Sequence, residues 1–251
     1  MNIEKLRTLL ADRGLWLARL DQFGTKYEGM LPVPNQMGLL SMFPAPAADW
    51  LQREYQHGVQ RSYAICWHAR DGSPASEVWA EFDKPGQGVA VGVSYEELLL
   101  QLGHVASSVN VPPVGGDGPI HVGAVTYINH QTDSVPEGNV LEAQFVVRDK
   151  WSYQQELRVL VHTHGTAAYD RLYNKTGPFG QIVEPVLPGQ SATGKTELVG
   201  GHSSGKALVL PIDPNRLVQR IIPNKAMSMR SRLELAKLAA RTGMLCRVKW
   251  W

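Results

Sequence analysis

The sequence predicts an α+β protein: a mixed, mainly antiparallel sheet core with helices at both ends and a long glycine-rich insertion. Three observations carry this. Clear helical spacing lies near the two ends, in Asn2–Arg13 and Arg230–Arg241. Between them, short apolar or alternating runs follow one another without the regular strand–helix alternation of a doubly wound sheet. From His162 through Gly205 the chain carries Gly165, Gly177, Gly180, Gly189, Gly194, Gly200, Gly201 and Gly205 with no apolar period, which suits an insertion rather than a core.

The elements follow in order. Asn2–Arg13 places Ile3, Leu6, Leu9 and Leu10 on one helical face, with Asn2 as cap and Gly14 as stop. Leu15–Leu20 is a short strand. Asp49–His57 sets Trp50, Leu51 and Tyr55 at helical offsets. Ser62–Trp67 alternates as a strand does, Glu77–Phe82 suits either a short helix or a strand, and Val89–Val93 is a strand. Tyr95–Leu102 is a helix capped by Ser94, with Glu97 at the third position of a capping box. His121–Ile128, Phe145–Val147, Tyr153–Val161 and Leu208–Ile212 are strands. Asn215–Ile221 and Arg230–Arg241 are helices, and Gly243 ends the last.

With 251 residues the chain can bury a sizeable core, and it is read as one domain over 1–251 with 163–206 a flexible insertion inside it. A hydrophobic fraction of 43% and a charged fraction of 19% are ordinary for a globular protein. A net charge of +2 rules out a polycation, though not a local nucleic-acid patch. The two cysteines, Cys66 and Cys246, give neither a disulfide framework nor a cysteine zinc site and suit a reducing compartment. No stretch approaches membrane length, so a cytoplasmic protein without a membrane partner is expected.

The stretch FVVRDKWSYQQELRVLV, Phe145 to Val161, places a polar and aromatic centre between two apolar runs. If Tyr153–Val161 is one strand, Gln154, Glu156 and Arg158 share a face, and Tyr153, Gln155 and Leu157 share the other. A carboxylate between an amide and a guanidinium is costly to bury unless each group is paired. Two readings follow: a structural Glu156–Arg158 pair, or a site.

WSYQQELR resembles the W-x-Y-E-x-E-x-R signature of a bacterial family known as domain of unknown function 2971. Four further blocks resemble that family in the same order: Gly14–Gly29 with its aromatic-Glu-Gly ending, Ser62–Phe82 with Cys66-Trp67 and Trp79, Gly88–Leu102, and Leu208–Ala226. The chain departs from the family where Gly24-Thr25-Lys26 replaces Asn-Asp-Pro, where Pro74-Ala75 replaces Glu-Ser, and where Gln154 replaces the first glutamate. Such families often sit in mobile or defence-related gene neighbourhoods, so the resemblance implies a toxin or phage-defence context.

A looser resemblance, to ADP-ribosyltransferases of the Arg-Ser-Glu type, implies a reaction and a cofactor, NAD. There a first-strand arginine grips NAD, a second-strand serine sits beside the nicotinamide ribose, and a Q/E-x-E strand supplies the glutamate that holds the ribose. A carboxylate suits that task because positive charge develops on the sugar in the transition state. Carried onto this chain, the catalytic residues are Glu156 and Gln154, and NAD is bound by Arg19, Ser62, Trp67, Tyr153 and Arg158. The other reading is a non-catalytic module that binds a nucleotide, a nucleic acid or a protein. A hydrolase built on Glu28, Glu156 and histidines ranks last, because no paired-carboxylate spacing supports it.

Other patterns weigh less. Gly189–Thr196 fits the phosphate-loop template letter by letter, yet Gly200-Gly201-His202-Ser203-Ser204-Gly205 follows where the chemistry needs a helix. His162-Thr-His164 could face a metal but has no acidic or cysteine partner at a recognisable spacing. Trp67, Trp79, Trp151 and Tyr153 suit the walls of a core or of a cleft that stacks a ring. Trp250 and Trp251 are expected to dock on the body or on a partner.

Overall fold

A computed structural model describes residues 1–24, 28–69, 76–83, 86–108, 120–136, 141–162 and 207–250. The phosphate-loop-like match, His164 and the glycine-rich insertion fall outside these residues. Helix α1, Ile3–Asp12, starts where the Asn2 side chain accepts from the Lys5 amide at 2.9 Å. It buries Ile3, Leu6, Leu9 and Leu10 and stops at Arg13, whose φ of 50° is left-handed. The next strand, β1 (Gly14–Arg19), opens on a glycine because a Cβ there would meet Val209 Cγ1 at 2.3 Å.

Strand β1 runs between β2 (Ser62–His68) and β8 (Ala207–Pro211), β2 pairs with β7 (Glu156–His162), and β7 pairs with β4 (Ile120–Ala124). The resulting five-stranded sheet has the order β4-β7-β2-β1-β8, and each of its pairings is antiparallel. One face buries Leu15, Leu17, Tyr63, Val159, Val161, Leu208 and Leu210 against Leu6 of α1, Leu98 and Leu102 of α5 (Tyr95–Ser108), and Leu235 of α7 (Met229–Arg241). Each such side chain contributes about 1.5–3 kcal/mol of apolar burial, so this face is the main core. The opposite face packs Ala64 and Leu160 against Leu20 and against Val59 of α3 (Ala45–Gln60).

Two smaller pairings complete the architecture. Strands β3 (Val89–Gly92) and β9 (Arg220–Pro223) form an antiparallel ribbon. Strands β5 (Thr126–Ile128) and β6 (Val146–Arg148) pair in parallel. The α+β class and the mainly antiparallel sheet are therefore as the sequence predicts.

Several local expectations give way. The run 153–161 is not one strand: Asp149–Gln154 is a 3-10 segment, Gln155 turns left-handed at φ 43°, and β7 begins only at Glu156. Gln154 therefore does not share a strand face with Glu156 and Arg158. The run 121–128 divides at Val125, whose amide donates to Glu156 O at 2.9 Å, into β4 and β5 of different sheets. The run 215–221 is a single helical turn, α6 (Pro214–Leu217), capped by Asp213, followed by β9. Ile221 and Ile222 are β-branched and Pro223 blocks helix continuation, so the strand wins. Helix α2 (Val33–Met42) is entered at Pro32 with Pro34 in its first turn, and α3 begins at Ala45 rather than Asp49. Residues 76–82 settle as helix α4 (Ser76–Phe82). Trp250 is exposed rather than docked, and Trp251 lies outside the described residues.

Candidate functional site

Once Gln155 has turned the chain into β7, alternation puts Glu156, Arg158, Leu160 and His162 on one face of the sheet. The register sets Arg158 opposite Cys66, and Glu156 opposite His68, on β2. Arg158 is wholly buried; both terminal nitrogens are engaged, while Nε has no partner among the described residues. Nη1 donates to Glu28 Oε2 at 3.1 Å and to Gln144 O at 2.5 Å, and Nη2 donates to Glu156 Oε2 at 3.0 Å. The Phe23 ring lies 5.6 Å from the guanidinium carbon. On the β4 side the register partner is Gly123, where a Cβ would come within 3.2 Å of the Phe145 ring. Glu28 is delivered by Gly29, which is left-handed at φ +67° and so close to Val59 that a Cβ would lie 2.7 Å from Cγ2.

The electrostatics are those of a largely buried cluster, with half-buried Cys66 at its edge on the cleft. Burial pushes the Glu28 carboxyl above its ordinary value, the Arg158 charge only partly offsets this, and the Glu156 charge adds to the rise. Burial alone would lower the Arg158 guanidinium, but Cys66, Glu28 and Glu156 together hold it above its ordinary value. The Cys66 thiol is pushed up to about 12, chiefly by burial. It is therefore a protonated thiol at neutral pH and not a nucleophile.

The structure brings together some of the residues singled out from the sequence and separates others. Glu156 and Arg158 form a direct pair. Glu28 and Cys66 join them, so three of the five blocks singled out in the sequence meet around one guanidinium. Gln154 contributes its backbone carbonyl, which accepts from His68 Nδ1. Tyr153 packs near Trp151 with ring centroids 6.0 Å apart. Ser62 is completely buried; its hydroxyl donates to Gly58 O at 2.7 Å and lies 2.6 Å from His162 Nδ1. Arg19 is the register partner of Tyr63 on the main-core side and chelates Asp21 at 2.8 Å. Arg19, Ser62 and Glu156 thus do not converge.

A cleft opens between the five-stranded sheet, the β3–β9 ribbon and α4, with a volume of about 860 Å³. Its walls include Trp67 from β2, Trp79 and Phe82 from α4 and Tyr95 from α5, and its polar lining includes His68 and Arg220. Among the described residues no aspartate or glutamate lines it. Because a carbonyl can only accept, His68 Nδ1 carries the proton in its bond to Gln154 O. In the neutral ring Nε2 is then an acceptor; it is buried, with no partner among the described residues, as is the Trp67 Nε1 donor. Trp67 and Trp79 are legible from the sequence as ring-stacking walls. His68 and Arg220 are missed, because the histidine stands alone in the sequence and the arginine falls in a run whose apolar spacing also fits a helix.

Among the described residues there is no cluster of histidine, cysteine and acidic groups able to hold a metal, and no helix long and apolar enough to cross a membrane. Comparison with protein-family models, with curated proteins and with solved structures finds no match to this chain.

Proposed function

We propose that this chain is a small-molecule binding module whose aromatic cleft holds a planar ring ligand of nucleotide size. The cleft itself carries the reading: about 860 Å³, walled by two tryptophans, with a few polar groups at fixed places. Ligand sites of roughly 300–1,000 Å³ with this mixture of apolar wall and sparse polar contacts are the usual form of small-molecule pockets. Ring stacking on tryptophan is worth about 1–3 kcal/mol per base. The His68 acceptor and the Trp67 donor would then read the ring edge. Binding is favoured over chemistry because the buried guanidinium and its carboxylates are spent on one another, and the Cys66 thiol is protonated.

ADP-ribosyl transfer from NAD is the second reading, and one observation favours it: His68, which lines the cleft, is the register partner of Glu156. A nucleoside and NAD series titrated against tryptophan fluorescence tests both. Under the binding reading, base-bearing ligands quench the signal, Trp67→Ala weakens binding at least tenfold, and no nicotinamide is released. Release of nicotinamide that disappears in Glu156→Gln would instead establish the transferase. Absence of binding by any ring-bearing ligand would overturn the cleft assignment.

A further inference from the structure

We propose that the ligand of this cleft is an anion, a planar ring bearing a phosphate, and that Arg220 is the residue that selects it; this rests on the ring-binding reading above. Arg220 opens β9 and is exposed at the cleft. Its register partner is Gly92, where a Cβ would fall 3.1 Å from Arg220 Cβ and 3.2 Å from Nε. The arginine stem therefore lies across the bare glycine, which fixes the guanidinium at the ribbon instead of leaving it free in solvent. Among the described residues the Arg220 side chain has no hydrogen bond or ion pair, its pairing in the ribbon being through the backbone. Nearby acids are occupied: Glu97 by Arg216 and Gln101, and Asp83 by Asn224 and the amides of Gln87 and Gly88.

The groups beside Arg220 are donors as well. Ser94 and Gln219 both line the cleft. The Ser94 hydroxyl oxygen accepts from the Glu97 amide at 3.2 Å and from Gln219 Nε2 at 2.9 Å. Its own proton is left to donate, with no acceptor among the described residues. Gln219 Nε2 has a second hydrogen, and Ser94 begins α5, whose amide dipoles favour negative charge there. One end of the cleft thus offers a guanidinium, a hydroxyl proton and an amide N–H, with no carboxylate among the described lining residues. The other end offers the His68 acceptor. A neutral ring would leave the donor end unused, whereas a phosphate monoester would accept from all three groups.

The test is calorimetric titration of nucleosides and their 5′-monophosphates, one pair for each common base, into the wild type, Arg220→Gln and Gly92→Ala. A charge-assisted contact of this kind corresponds to a preference for the monophosphate of about ten- to hundredfold over its nucleoside. Arg220→Gln should abolish that preference, so that monophosphate and nucleoside bind the variant equally. Gly92→Ala should reduce it by displacing the arginine stem. Equal affinity of nucleoside and monophosphate in the wild type would overturn the anion assignment and leave the ring reading standing. A preference that survives Arg220→Gln would overturn the role of Arg220. Absence of binding by every member of the series would overturn the ring reading itself.

Discussion

Removing the Arg158 guanidinium is the sharpest perturbation of this fold. The side chain is 0% exposed, and its partners Glu28 and Glu156 are 7% and 13% exposed. Arg158→Met keeps much of the volume but strands two carboxylates and the Gln144 carbonyl. Breaking a buried pair by deleting one partner typically costs about 3–5 kcal/mol, because the other charge stays buried and uncompensated. For a chain of this length each kcal/mol moves the melting temperature by about 2–4 °C, so the expected loss is about 6–20 °C. Urea denaturation and thermal melting followed by circular dichroism read both quantities. Should the single variant fail to fold, a second protein keeps the test decisive: Arg158→Met combined with Glu28→Leu and Glu156→Leu removes the stranded charges and should return to within about 1–2 kcal/mol of wild type. A single variant within about 1 kcal/mol of wild type would refute the buried-charge reasoning, as would a triple variant no more stable than the single.

Three further outcomes are expected. Because burial raises Glu28 above its ordinary carboxylate value, its contribution to stability is complete below that ordinary value and is lost as pH rises through the raised one. Glu28→Gln cannot charge, so it should gain on the wild type as pH climbs from about 4 to about 7, and a stability gap that does not move with pH would count against this. With its thiol pushed up to about 12, Cys66 should resist iodoacetamide in the native protein while the exposed Cys246 alkylates quickly, as mass spectrometry of the digested adducts would show. Gly29→Ala must hold an alanine at φ +67° with its Cβ 2.7 Å from Val59, and should cost at least about 1–3 kcal/mol in urea denaturation; wild-type stability would mean that the Glu28 turn relaxes freely.

What the sequence makes legible is local. Asn2, the leucine spacing and Gly14 define α1 and its exit without help from the rest of the chain, and Ser94 caps α5 as its position before Tyr95 predicts. The Glu156–Arg158 pair is legible too, because both residues sit on one strand and need only a period of two. The Glu28–Arg158 bond spans 130 positions, and no periodicity encodes such a contact. Gln154 is misplaced because the left-handed turn at Gln155 falls on a non-glycine residue, where sequence gives no warning. Arg220 is misplaced for a different reason. Leu217, Val218, Ile221 and Ile222 satisfy a helical spacing, and only pairing with Val89–Gly92, far away in sequence, tips the β-branched run into a strand.

The buried cluster and the cleft share a wall, the end of β2 that runs from Ile65 to His68. Ala64 packs on the face that carries Arg158, and Cys66 sits opposite that arginine and also lines the cleft, beside Ile65 and Trp67, which pack with the main core. Leu157 and Arg158 divide on β7: the leucine lines the cleft and the arginine anchors the cluster. Three elements converge on that guanidinium: the Glu28 turn, the Gln144 segment and β7 itself. They fix the end of the sheet from which Trp67 and His68 project. A wall that stacks a ring must hold its tryptophan still, since misplacement forfeits the stacking contact. The buried ion pairs of Arg158 therefore act as backing to the cleft, and the groups left over for a ligand are those on its open side: Trp67, Trp79, His68, Ser94 and Arg220.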